Sequence, residues 1–212
     1  MHHPDKTIFI VTIMSIKISG QNRIFSPRRR PKMKTHLEQP APIKVADPAI
    51  TWFQPPILVP YSQEITPLLR LGHYGYFKPE ITSANFPSMY PTDQMRVLGL
   101  AKFPLDVAPF VAIKWAEGRG IRLADAYEIL AFGAKYQGVT SLIALGELAD
   151  LNGHKAGIEL DKFITTDNRT SRRAMLRWWD IEIPHYCRIL LSADPGSPIL
   201  QTTGRRTQLA PA

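Results

Sequence analysis

Apolar residues fall into helical spacing from about Asp93 onward. Met95, Val97, Leu98 and Leu100 make a short apolar element, and Pro104 sits where the first turn of a helix tolerates proline. Val107, Phe110, Val111 and Trp115 then line one face of a first helix, stopped by Gly118 and Gly120. A second helix is predicted from about Leu123 to Tyr136: Leu123, Ala126, Tyr127, Leu130 and Ala134 form its stripe, Ile129 and Phe132 widen it, and Gly138 ends it. The third, Val139 to Leu151, is apolar on nearly every side at Leu142, Ile143, Ala144, Leu145, Leu148 and Ala149, the mark of a buried helix, with Asn152 and Gly153 as its stop. Leu160, Phe163 and Ile164 begin a fourth, and Arg172 to Asp180 a fifth, after a break rich in N-cap residues at Asp167 to Ser171. The pattern predicts a mainly α fold, a compact bundle of about five helices in a core domain at residues 93–200.

The segments on either side read differently. Prolines at positions 40, 42, 48, 55, 56, 60, 67, 79, 87 and 91 exclude long helices, yet Trp52, Phe53, Ile57, Leu58, Val59 and Tyr61 recur among them. Residues 36–92 are therefore expected as an extended, proline-rich strap over the helical core, anchored by Trp52 and Phe53 and by a short helix near Gln63 to Leu71. The run Gly72 to Phe77 reads as a turn packing its rings inward. After the fifth helix, Ile181 and Ile183 alternate with Glu182, and "YCRILLSA" precedes the turn "DPGS", which predicts a small C-terminal β-hairpin or edge strand. Residues 201–212 are a polar tail, expected to be disordered.

Composition sharpens this picture in three places. A chain of 212 residues supports one core, and the crowding of its 19 prolines into the first half places that core late. The net charge of +8 is mostly local: residues 1–35 hold eight Lys and Arg against one acid, whereas the remainder is close to neutral. Residues 1–35 are read as a flexible basic N-terminus, open to three interpretations: a secretory signal, an acid-poor organelle-targeting peptide, or a non-native extension ahead of Met33. Cys187 is the single cysteine, so no intrachain disulfide forms, which fits a reducing compartment and a cytoplasmic protein. The longest apolar run, Thr7 to Ile16, is about half of the roughly 20 residues a membrane-spanning helix needs. Integral membrane association is not expected.

Three constellations are candidates for function. The stretch "LAFGAKYQGVTSLIALGELA" resembles a bacterial repressor helix-turn-helix at Ala134, Gly138, Val139 and Thr140, but its second helix offers no Arg, Lys, Asn or Gln to read bases. The loop from Asp150 resembles an EF-hand loop, with Asp150, Asn152 and His154 on alternate positions and Asp161 twelfth. It departs from that pattern at His154 in place of a carboxylate, Lys155 in place of the turn glycine, and Gly157 where a branched apolar residue belongs. So depleted an oxygen set predicts a helix-loop-helix pair without metal. "GIRL" at Gly120 echoes as "GIEL" at Gly157, a spacing comparable to that of paired EF-hands. The third constellation is the basic face Arg169, Arg172, Arg173 and Arg177 beside Trp178 and Trp179, suited to phosphate or to an acidic partner.

Catalytic patterns are sparse. His185 and Cys187 would share a strand face without an acid partner that sequence can locate, and Glu147, Asp150 and His154 could approach one another at the end of the third helix. No phosphate loop, zinc array or serine elbow is present, so no cofactor is expected. The sequence reading is a non-catalytic interaction or adaptor protein that binds another protein through the strap and the Trp178/Trp179 face. The alternatives are nucleic-acid binding through Arg169 to Arg177 and the degenerate EF-hand pair.

Overall fold

The structure, a computed structural model, describes residues 46–202 and a strand at 205–208. The basic N-terminus, the first ten residues of the strap and half of the polar tail, residues 203–204 and 209–212, lie outside the described residues. The elements run β1 (Ala49–Gln54), β2 (Ile57–Val59), α1 (Ile65–Leu71), β3 (Tyr76–Phe77), β4 (Gln94–Lys102), α2 (Pro109–Glu117), β5 (Arg122–Leu123), α3 (Ala126–Lys135), β6 (Leu142–Leu151), β7 (His154–Ile164), β8 (Thr170–Trp178), β9 (Arg188–Ala193), α4 (Ile199–Thr202) and β10 (Arg205–Gln208). The strands form a mixed sheet in the order β10-β1-β4-β9-β6-β7-β8-β3, with β2 joined to β4 and β5 to β9. The protein is mainly β, and the expected mainly α bundle of about five helices is overturned.

The reversal turns on Leu142 to Ala193. The run read as a third, all-round apolar helix is β6, a central strand between β7 and β9. Leu142 and Ala144 enter the core on one face of the sheet, and Ile143 and Leu145 enter the core on the other. A strand covered on both faces loses its polar alternation and looks, in sequence, like a buried helix. Asn152 and Gly153, read as a helix stop, are a two-residue hairpin turn joining β6 to β7, with φ of 57° and 83°. Two consecutive positive φ values are what the tight hairpin turn favoured by strand twist requires, and Asn-Gly is the pair that adopts them most readily. The fourth and fifth helices are likewise strands, β7 and β8, paired antiparallel from Ala156↔Trp178 to Ile164↔Thr170. "RILLSA" is β9, hydrogen-bonded between β4 and β6 at the centre of the sheet instead of at its edge.

The three helices that periodicity located correctly flank the sheet. α1 and α3 pack on one face with Ile65, Leu68, Leu69, Ile129, Leu130 and Phe132 in the core; α2 packs on the other with Ala112, Trp115 and Ala116. Pro109, not Pro104, is the first-turn proline of α2. β1 places Trp52 in one core and Phe53 in the other, so this part of the proline-rich segment is itself a sheet strand. Full burial of each such side chain is worth roughly 1.5–3 kcal/mol. Among the described residues, no helix is long and apolar enough to cross a membrane.

Candidate functional site

The start of α3 anchors a buried ionic cluster. Asp125 caps the helix by accepting a hydrogen bond from the Glu128 N–H at 2.9 Å, and the Glu128 carboxylate accepts one from the Asp125 N–H at 2.9 Å. This reciprocal box satisfies two backbone donors that a helix leaves open. Both carboxylates then reach across the core. Asp125 accepts from the Tyr61 hydroxyl at 2.7 Å, and Glu128 accepts from the Ser192 hydroxyl at 2.6 Å, pairs with Arg122, and lies 3.6 Å from Arg96 Nε. Arg96 also pairs with Asp194 and sits 4.7 Å over the Tyr90 ring. Arg96, Asp125, Glu128 and Ser192 are all buried. Burial, then the neighbouring Glu128 charge, pushes the Asp125 carboxyl up to about 6, against the pull of the Tyr61 and Glu128 hydrogen bonds. The cluster joins β4, β5, α3 and β9 to the Tyr61 turn, with its charges answered from within. Such a network holds elements in register.

Glu147 lies just outside it. β7 is paired with β6 up to Ala144↔Ile158 and again from Ala149↔Ala156, so residues 145–148 bulge opposite the single residue Gly157. The bulge lets the Gly146 N–H reach the Ala124 carbonyl at 2.9 Å. Burial, with the Asp125 charge adding to it, raises the Glu147 carboxyl from 4.5 to about 7, and its Oε2 is buried without a hydrogen-bond partner among the described residues. A carboxyl raised on folding contributes full stability below its unfolded value of 4.5 and loses it as pH rises through about 7. Glu147→Gln should therefore be neutral at acid pH and stabilise the fold by about 1 kcal/mol at alkaline pH, after allowance for its partial solvent exposure. Urea melts at the two extremes check this; an equal difference at both would contradict the assignment.

The residues singled out in sequence scatter. Asp150 closes the hairpin by accepting the Gly153 N–H at 2.8 Å, whereas Asp161 pairs with Arg173 six strand residues beyond Lys155, roughly 20 Å along β7. Asp150, Asn152, His154 and Asp161 do not converge, and no group of three or more His, Cys, Asp or Glu side chains among the described residues could hold a metal ion. The helix-turn-helix fails because its second helix is β6, and the helix-loop-helix pair fails because strands β6 and β7 flank the Asp150 loop on both sides. Gly120 is a left-handed turn while Gly157 lies inside β7, so the "GIRL"/"GIEL" echo has no structural counterpart.

The four arginines form no continuous cationic face. Arg173 pairs with Asp161 at 3.0 Å and Arg177 with Glu159 at 3.2 Å on one face of the sheet. Arg172 turns to the other, donating to the Gly72 carbonyl and, at 2.7 Å, to the Gly133 carbonyl. Arg169, 85% exposed, pairs with Asp167 in the β7–β8 turn. Trp178 is half-buried and meets the His154 ring edge-on. Cys187 is buried, and burial pushes its thiol up to about 11, which removes it as a nucleophile near neutrality.

What sequence reasoning missed is a cleft on the α2 side. Val107 and Ile183 exchange both backbone hydrogen bonds, at 2.9 and 2.8 Å, tying the segment before α2 to the segment before β9. Next to that bridge, Asp106 Oδ1 accepts from the His185 backbone N–H and contacts its ring Nδ1, each at 2.8 Å. These two bonds hold the Asp106 carboxyl below the usual carboxylate range. Four large apolar residues stay exposed on the two tied segments and the start of α2: Leu105 at 73%, Phe110 at 49%, Ile181 at 46% and Tyr186 at 61%. Of these, Leu105 and Phe110 line a cleft of about 430 Å³ together with Phe103, Val107 and Val111, with Asp106 and Glu182 as its acidic groups. Phe110 was expected on the inward face of its helix, but Pro109, Ala112, Trp115 and Ala116 take that face and leave Phe110 beside it. The sequence signal was "FPLDVAPF", in which two prolines hold apolar side chains outside any helical period. Comparison with known proteins finds no matching family model, curated protein or solved structure.

Proposed function

We propose that the protein is a non-catalytic interaction module that docks an apolar segment of another protein in the cleft between the pre-α2 and pre-β9 segments. The observation that carries this reading is the exposure of two large apolar residues, Leu105 and Phe110, in the lining of one apolar cleft. Contiguous exposed apolar surface is costly in water and marks surfaces covered on binding. The catalytic alternative has less support: His185 is oriented by Asp106, but the only thiol is buried, and Asp125 and Glu128 are engaged by Tyr61, Ser192 and Arg122. The nucleic-acid alternative also loses ground, since Arg173 and Arg177 are neutralised by strand neighbours and the cleft is edged by acids.

The test is fluorescence anisotropy of the full chain with a short labelled peptide carrying a central Leu-Trp pair between serines. Leu105→Asp should weaken binding by about tenfold or more, because it puts a charge into the apolar contact. Its melting temperature should barely move, as Leu105 is already 73% exposed. Absence of any peptide binding by the unmodified chain overturns the reading. Retention of duplex DNA at low salt that is lost on Arg173→Ala would favour nucleic acid in its place.

A further inference from the structure

The acidic residues of the cleft narrow the chemistry of its occupant. Of the described residues lining it, Asp106 and Glu182 are charged and none is Lys or Arg. Glu182 is exposed, and both hydrogen bonds to Asp106 land on Oδ1, leaving Oδ2 without a partner among the described residues. Two carboxylates at an otherwise apolar opening attract cations and repel phosphate or acidic peptide. At about 430 Å³, near the small end of ligand clefts, the space holds one or two side chains. The flanking backbone of a bound segment must therefore run along the surface, past Asp106 and Glu182.

We infer, resting on the docking reading above, that the occupant is an extended protein segment with one or two large apolar residues flanked by lysine or arginine. The apolar side chain seats against Leu105, Phe110 and Val111. The flanking cations meet Asp106 Oδ2 and Glu182. Because these ion pairs are exposed, they select among apolar segments and contribute little affinity of their own.

Three labelled peptides test this, identical in their central Leu-Trp pair and flanked by lysine, serine or glutamate. The lysine peptide should bind the full chain about fivefold tighter than the serine peptide, with the glutamate peptide weakest and the spread collapsing at high salt. Asp106→Asn with Glu182→Gln should bring the lysine and serine peptides to equal affinity; asparagine keeps an oxygen for the His185 N–H, so the bridge to the pre-β9 segment is retained. Equal affinity for all three peptides overturns this inference and leaves the docking reading standing. Binding by none of them overturns both. A lysine preference that survives the double substitution places the selecting charge elsewhere and overturns the assignment to Asp106 and Glu182.

Discussion

Glu128→Ala is expected to destabilise the fold by about 3–5 kcal/mol, the cost of breaking a buried ion-pair and hydrogen-bond network by removing one partner. Glu128 is fully buried and faces both Arg122 and Arg96, while also holding the Ser192 hydroxyl and the Asp125 N–H. Removing its carboxylate leaves Arg96 with Asp194 alone and Arg122 with Asp125 at 3.6 Å, and opens half of the capping box. Urea denaturation at neutral pH measures the loss. Glu128→Gln separates the parts: it keeps the shape and the hydrogen bond to Asp125 but not the charge, and should lie between Ala and the unmodified protein. A loss below about 1 kcal/mol for Glu128→Ala would mean that water reaches the two arginines and that the cluster is not a buried network.

Gly157→Ala should cost about 3 kcal/mol for a different reason, the collision of a new methyl group with backbone. A Cβ at Gly157 would meet the Ala144 carbonyl oxygen at 2.2 Å and the Leu148 side chain at 3.3 Å. Neither β6 nor β7 can move aside without breaking the pairs at Ala144↔Ile158 and Ala149↔Ala156. Glycine here lets the bulge of β6 fold over its neighbour, and the bulge carries Gly146 to the Ala124 carbonyl at the entry to α3. A thermal melt reads the effect, and Gly153→Ala offers a contrast: its backbone is strained at φ 83° but an added Cβ meets nothing within 4 Å. If Gly157→Ala melts like the unmodified protein, the close approach of the two strands is wrong.

The two substitutions share a geometry. The β6 bulge, the α3 capping box and the Arg96–Glu128–Ser192 contacts meet where α3 crosses the sheet, so damage there should propagate to several strands. The cleft lies on the opposite face, bordered by Phe103, Val107 and Val111, which pack with or beside the second core. Changes at Leu105 or Phe110 should for that reason separate binding from stability, and changes at Glu128 or Gly157 should not.

By itself, the sequence determined what short-range chemistry controls. Glycine, proline and helical spacing placed α1, α2 and α3 to within a few residues, and the single cysteine excluded an internal disulfide. The sequence also contained Asp125-Ala-Tyr-Glu128 and Asn152-Gly153, a capping box and a hairpin turn whose local meaning is strong. Only tertiary structure decided whether Leu142 to Leu151 is helix or strand. A segment buried on both sides carries no polar period, and its backbone state depends on the distant strands that accept its hydrogen bonds. The same holds for the cleft. Asp106 and His185 are 79 residues apart, and Leu105 and Phe110 become a surface because Val107 bridges Ile183 and other residues claim the inward face of α2.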